Sequence, residues 1–270
     1  MERNKKGQME KLYTDEYIKS LLNENKESKI SINEIAKREG ISKSTLTYRA
    51  KKLGYVLSKR RNELDEQYFN DIDTDLKAYF LGFIMADGCV SKTCHTNKTP
   101  NRLAINISYK DRIILEKLKE ELKTTYKIYD YIPHQQTYGF NEMCRLAINS
   151  STLCKSLEQY GIVERKTGKE CVPKINSKFI PSFIRGFLDG DGTITNGNIG
   201  FCSSFNMIQS LKYIFLSWGM TGSLNIIKDK RHHNIYSLFI CKKEDKQIFC
   251  DKVYKDNPFC LNRKYEKIVR

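Results

Sequence analysis

The chain has 270 residues, enough for one large domain or two unequal ones, and its 47 Lys and Arg against 32 Asp and Glu leave a net charge of +15. A positive excess of that size points to a polyanionic partner such as nucleic acid or an anionic membrane surface. The longest apolar run, Tyr79 to Ala86, falls far short of the roughly 20 residues that span a bilayer, which excludes a membrane-spanning protein. The charged start, Met1 to Gly7, has no apolar stretch behind it, so it is not a secretory signal. Nine scattered cysteines fit reduced thiols better than a disulfide framework. The expected location is the cytoplasm or a host nucleoid, not the exterior.

Residues 1–61 read as short helices. Ser31 and Glu34 form a capping box that opens a helix over Ile32 to Glu39, and Gly40 stops it. Ser42 caps a second helix running through Leu46, Arg49 and Leu53, closed by Gly54. Ala36 is small where two helices cross, while Ile41 and Leu46 supply core positions. This pattern resembles a helix-turn-helix DNA-binding module. The resemblance implies that Lys43, Ser44, Thr47 and Tyr48 face base edges. From Lys37 to Arg61 there are nine Lys or Arg and one Glu, so Arg49, Lys59, Arg60 and Arg61 join the DNA-contact set. A small helical bundle with a solvated basic face is the alternative. Residues 62–75 carry six acids and no Lys or Arg and read as an acidic linker, whose last acids favour the start of a helix near Thr74.

From residue 76 the chain looks doubled, in halves 76–175 and 176–270. Phe80 to Gly88 and Ile184 to Gly192 match at Gly, Phe, Asp and Gly. Each is followed by strand-like and helical segments in the same order. The first copy has Leu103 to Ser108, Asp111 to Lys123, Lys127 to Ile132, Cys144 to Ile148 and Ser151 to Tyr160. The second has Ile199 to Ser204, Asn206 to Trp218, Ser223 to Ile227, Tyr236 to Cys241 and Lys243 to Tyr254. An Arg-Lys pair closes each half, Arg165-Lys166 and Arg263-Lys264. The expected fold class is α+β, two halves related by pseudo-twofold symmetry with curved antiparallel sheets.

Small residues recur four apart in each motif helix, Gly82 with Ala86 and Gly186 with Gly190, so the two helices can bring their backbones together. Asp87 and Asp191 stand at the helix C-termini, each before a glycine suited to a left-handed cap. Two carboxylates there oppose the helix dipoles by roughly 0.3–1 kcal/mol each, and a divalent cation held between them would offset that. Mg²⁺, with Mn²⁺ as a substitute, takes carboxylate, water and phosphate oxygens and activates water for hydrolysis. The alternative is that Asp-Gly simply ends a helix.

These two motifs resemble the signatures of the LAGLIDADG homing endonucleases in their single-chain, two-motif form, and the resemblance covers 76–270. It implies that the motif helices form the interface between halves and that Asp87 and Asp191 bind the catalytic metal. It also implies that both strands of a long double-stranded DNA site are cut across the minor groove, leaving four-nucleotide 3′ overhangs, with the sheets in the flanking major grooves. Lys166 and Lys264 match basic residues that often assist catalysis in that family. Met85 stands where the motif name has its first Asp. It points about 200° from Asp87, at 100° per residue, and leaves activity in place; Asp189 is expected at the surface or the helix interface rather than as a ligand. Tyr126, Tyr129, Tyr131, Tyr138, Lys228, Lys230 and Arg231 lie in or beside predicted strands that could read bases.

Other constellations are weak. Cys89, Cys94 and His95 lack a second ligand pair for zinc, and His232-His233-Asn234 lacks the later histidine of a His-Asn-His nuclease. The expected activity is a monomeric, Mg²⁺-dependent, site-specific DNA endonuclease of the intron-homing kind. An RNA-splicing maturase bound to intron RNA, or a non-cleaving transcription regulator, are the alternatives. With no initial Cys and no terminal His-Asn, an embedded intein is not expected.

Overall fold

A computed structural model of the chain describes residues 13–27, 30–57, 62–94, 96, 98–133, 142–229 and 234–269. They divide into two units, Met1–Asn62 and Glu63–Arg270. Among the described residues no helix is long and apolar enough to cross a membrane.

The described residues of the first unit form three helices, α1 (Asp15–Glu27), α2 (Ile32–Glu39) and α3 (Lys43–Lys52). The capping box forms as expected: Glu34 N–H donates to Ser31 Oγ at 3.2 Å, and Ser31 N–H donates to Glu34 Oε2 at 3.1 Å. Gly40 closes α2 at φ 64°, a left-handed backbone that glycine adopts without a Cβ penalty. Ser42 then accepts from Thr45 N–H at 3.0 Å and starts α3. Ile18, Leu22, Ile35, Leu46 and Ala50 bury the small core between the three.

The second unit starts inside the acidic segment. Residues 62–75, expected as a linker, pack from Glu63 onward against the first half. Phe69 is fully buried, Tyr68 nearly so, Ser150 donates to Glu66 at 2.6 Å, and the Gln159 amide donates to the carbonyls of Phe69 and Asn70. The run of acids conceals an apolar pair, Tyr68 and Phe69, that supplies the driving force for docking.

Then come α4 (Asp75–Asp87), β1 (Gly88–Ser91), β2 (Arg102–Ser108), α5 (Arg112–Glu121), β3 (Ile128–Tyr131), β4 (Met143–Asn149) and α6 (Ser151–Glu158). The second half follows with α7 (Ile180–Asp191), β5 (Thr193–Thr195), β6 (Asn198–Ser203), α8 (Phe205–Ser217), β7 (Ile227–Lys228), β8 (Tyr236–Ile240), α9 (Lys243–Val253) and α10 (Asn262–Val269). Both sheets are antiparallel and share one topology, β1-β2-β4-β3 and β5-β6-β8-β7. The α+β class and the duplication thus appear as structure. Alternation orients the strands: Leu103, Ile105 and Ile107 of β2 and Cys144, Leu146 and Ile148 of β4 are buried, while Asn106, Arg145 and Ala147 between them are more exposed and only the small Ala104 is buried on the other face.

Some elements differ from the sequence expectation. Strands β1 and β5 have no counterpart in the sequence reading, being too short for a period and beginning at Gly88 and just after Gly192, the glycines that read as helix stops. The strand expected over Ser223 to Ile227 is the two-residue β7, shifted toward Lys228. Helix α10, which carries Arg263 and Lys264, was also not foreseen. Gly88 and Gly192 are not left-handed caps: their φ values are −75° and −76° with extended ψ. Glycine is needed there because the chain runs straight from helix into strand. A Cβ would lie 2.5 Å from the Ile84 carbonyl oxygen at Gly88 and 2.4 Å from that of Leu188 at Gly192.

Helices α4 and α7 pack against each other backbone to backbone. A Cβ on Gly82 would sit 2.0 Å from the Phe183 carbonyl oxygen, and one on Gly186 would sit 1.9 Å from that of Tyr79. The contacts are reciprocal, as a twofold interface requires. Flanking rings repeat the relation, Tyr79 stacked near Phe83 and Phe183 near Phe187. Gly82→Ala is therefore expected to force the helices apart and lose at least the roughly 1–3 kcal/mol of ordinary core overpacking. Urea unfolding measures this, and a variant as stable as the parent would contradict so close an approach.

Candidate active site

The glycine contacts fix where α4 and α7 end. Asp87 closes α4 and Asp191 closes α7, and the small residues Ala86 and Gly190 let the two ends meet. A Cβ on Gly190 would fall 2.4 Å from Ala86 Cβ and 3.1 Å from Asp87 Oδ2. The structure thus brings together Gly82, Ala86, Gly186, Gly190, Asp87 and Asp191. Asp87 is half-buried, while Asp191 lies at the surface. Burial, and then the neighbouring Asp191 charge, push the Asp87 carboxyl up to about 7. Although the residue as a whole is exposed, desolvation of the Asp191 carboxyl at the helix junction raises it as well, opposed by the Lys166 and Lys264 charges.

Both lysines are present at the same ends. Lys166 Nζ donates to the Ala86 carbonyl at 2.9 Å. Lys264 Nζ donates to the carbonyls of Leu188, Asp189 and Gly192, each at 2.7 Å, and to Gly190 at 3.1 Å. Helix C-termini leave carbonyls without partners, and a cation there opposes the dipole's negative end. Part of the compensation that the two acids demand is therefore built into the chain. Burial lowers the Lys264 ammonium to about 8.

Asp189 lies in the helix interface, only 2% exposed. Its Oδ2 accepts from the Tyr79 hydroxyl and the Leu261 N–H, both at 2.8 Å. The pseudo-symmetric positions carry Phe183 and Met85, both fully buried, so a polar pair on one side answers an apolar pair on the other. Arg263 forms a two-pronged ion pair with Asp111, joining α10 of the second half to the start of α5 in the first. A cavity of about 360 Å³ opens beside Asp87, lined by Asn106, Ser108, Asp111, Met143 and Arg263 among others.

A divalent cation fits this donor set. The two acids offer only oxygen, as hard cations prefer, and a positive ion would offset the burial and the Asp191 charge that raise Asp87. Among the described residues no group of three or more His, Cys, Asp and Glu forms a closed cage. An ion at the two carboxylates would complete its shell with water and substrate oxygens.

The outward face of the first sheet carries chemistry that the sequence reading passed over. Asn106, Arg145 and Tyr129 stand in register across β2, β4 and β3, and Arg145 Nε is buried without a hydrogen-bond partner. The alternation of Cys144, Leu146 and Ile148 was the signal that could have turned Arg145 outward. Tyr129 is 62% exposed and Tyr131 39%, whereas the Tyr126 hydroxyl is engaged with the Asn149 carbonyl at 3.0 Å. Lys228 is exposed on β7.

In the first unit Lys43, Ser44, Thr47 and Tyr48 are exposed on α3, Tyr48 by 67%. Arg49 departs from the expectation of a DNA contact. Its guanidinium is turned back onto the Asp15 carboxylate and the Tyr13 carbonyl, tying α3 to α1. Lys59, Arg60, Arg61, Tyr138, Lys230 and Arg231, with His95, His232 and His233, lie outside the described residues.

Residues 178–254 match the family profile of a LAGLIDADG-like domain, and residues 17–54 match that of a winged helix-turn-helix DNA-binding domain. A curated relative, the DNA-directed RNA polymerase subunit Rpo1C of Methanocaldococcus jannaschii, is 32% identical over 130 residues, 46% of this chain and 13% of that protein. This chain therefore spans only a small part of that relative's length. Among solved structures, the LAGLIDADG homing endonuclease I-GzeII in complex with its DNA target has a TM-score of 0.49 at 13% identity, covering 70% of this chain and 87% of that one. The homing endonuclease I-DmoI in complex with DNA and Ca has a TM-score of 0.49 at 15% identity, covering 76% of this chain and 100% of that one.

The raised Asp87 carboxyl makes stability depend on pH. In the unfolded chain it ionises near the ordinary value of about 4, whereas in the folded protein it does so only at about 7. Its contribution is full below the lower value and is lost as pH rises through the upper one. Asp87→Asn is expected to melt above the parent at pH 8 in chelator, with the gap closing toward pH 4. A gap independent of pH would contradict the burial of this group.

Proposed function

We propose that the chain is a site-specific DNA endonuclease that cuts both strands of a long target by metal-dependent phosphodiester hydrolysis, as a monomer. The observation that carries this reading is the reciprocal helix pair, which delivers Asp87 and Asp191 side by side at two helix ends within one strongly basic chain. A duplicated chain holds both carboxylates without a second copy, one for each DNA strand. Mg²⁺, with Mn²⁺ as a substitute, is the cation this oxygen donor set favours. When bound, the ion supplies an activated water and stabilises charge on the leaving oxygen.

The chain's own residues do the rest. Asp87 and Asp191 hold and orient. Positive charge from the lysines at the helix ends favours an anionic phosphate beside the acids. The outward sheet faces present side chains to a groove, where Arg145 can donate to guanine and Asn106 to adenine. Lys43, Ser44, Thr47 and Tyr48 of the first unit extend the contact to further base pairs, and the positive excess supplies phosphate affinity that weakens with salt.

The reading is tested by incubating the protein with a randomised duplex library in Mg²⁺ and sequencing the ends, beside the Asp87→Ala/Asp191→Ala variant. Breaks with 3′ overhangs are expected from the parent alone, with the variant's rate at least about a hundredfold lower and its binding retained. Cutting that survives in the variant would remove the carboxylate assignment. Specific binding without cutting by the parent would favour a regulator, and preferential retention of structured RNA a splicing cofactor.

A second outcome follows for the sheet. Arg145→Ala is expected to relax preference at one base position, worth about 1–3 kcal/mol of discrimination, while cutting continues on permissive sites. Sequencing the products of the same library measures this; an unchanged target profile would take Arg145 out of the reading face.

A further inference from the structure

The two lysines occupy matching places in the repeat, yet their surroundings differ. Lys264 is 6% exposed and faces four carbonyl oxygens within 3.1 Å. An ammonium has three protons, so every donor of Lys264 is committed to the end of α7. The residues around it are anchored as well. Leu261 N–H donates to the buried Asp189 carboxylate, and Arg263 is clamped by Asp111.

Lys166 is less engaged, although its loop is tied down by the Gly168 N–H donating to the buried Glu170 carboxylate at 2.8 Å. The residue is half-buried and its ammonium makes one hydrogen bond among the described residues, to Ala86, so two of its three N–H donors remain open. Met85 stands where the second half has Asp189, and no carboxylate on α4 can anchor the lysine's loop in the same way. The preceding Arg165 is exposed and adopts φ 56°, a left-handed backbone uncommon for a residue with a side chain.

We propose that the two lysines do different work: Lys166, at the end of α4, engages a scissile phosphate, while Lys264 is a fixed cap that positions the end of α7. The inference rests on the nuclease reading of this site. Hydrolysis places a water oxygen on phosphorus as one phosphorus–oxygen bond breaks, and the hydrogen released by the water ends on the leaving oxygen. Lys166 gives hydrogen bonds to the non-bridging oxygens and keeps its protons throughout. With only one lysine free to do this, the two strands are cut at unequal rates.

Two measurements test the division. In the first, amines of the folded full-length chain are trace-acetylated at pH 8 and located by mass spectrometry, with and without random-sequence duplex DNA. Lys166 is expected to react and to be protected by DNA, while Lys264 reacts only on unfolding. In the second, single-turnover cutting of a duplex recovered from the library is followed on each strand. Lys166→Met is expected to slow one strand at least about tenfold and accumulate a nicked product. Lys264→Met is expected to lower the unfolding midpoint and slow both strands together.

Lys264 acetylated as fast as Lys166 in the folded chain would overturn the proposal, as would equal slowing of both strands by Lys166→Met. A parent protein that cuts no DNA would overturn the nuclease reading and with it the strand assignment. Because the labelling needs no cutting, these two failures are distinguishable, and the labelling still decides which lysine is committed.

Discussion

Everything in the larger unit is referred to one contact, the crossing of α4 and α7 at Gly82 and Gly186. At 2.0 and 1.9 Å from a facing carbonyl oxygen to the place of a missing Cβ, no side chain other than hydrogen is admitted on either helix. That closeness holds the helices in register and makes them end together, so the residue that terminates each one is forced toward its counterpart. Two helix C-termini and two carboxylates then meet, all of them negative in field. The lysines at Ala86 and at Leu188 to Gly192 answer the dipoles, and what remains is the burial, and then the Asp191 charge, that hold Asp87 up to about 7. A site with such residual negative charge is suited to a cation.

The repeat is faithful in topology and unfaithful in polarity. Sheet order, ring stacking and glycine contacts recur in both halves, whereas Tyr79 with Asp189 on one side is matched by Phe183 with Met85 on the other. A buried hydroxyl requires an acceptor, and here a carboxylate provides it. That carboxylate also accepts the Leu261 N–H and so fixes the approach to α10. In a symmetric dimer any such change would appear twice. A single duplicated chain can alter one copy alone, and this chain has done so around Lys264.

The smaller unit follows a different economy of charge. Its helices are defined by local capping at Ser31, Gly40 and Ser42, and its core is small. Arg49 reinforces that core from outside by bridging α3 to α1 through Asp15 and the Tyr13 carbonyl, so it is withdrawn from the outward face that Lys43, Ser44, Thr47 and Tyr48 retain.

Local signals in the sequence determined the caps of α2 and α3, the start of α4 at Thr74, the duplication, and the pairing of small residues with Asp87 and Asp191. Each depends on neighbours within a few residues or on direct repetition, and backbone sterics and capping act at that range. The docking of the acidic segment, the strands β1 and β5, helix α10, and the separate surroundings of Lys166 and Lys264 were decided only by tertiary structure. These depend on groups far apart in the chain: Phe69 with Gln159, Asp111 with Arg263, Asp189 with Leu261. The extended conformations of Gly88 and Gly192 belong with them, because whether a glycine turns left-handed or runs into a strand depends on the sheet that receives it. Sequence spacing names the residues at the site, and only packing settles which of their donors are already engaged.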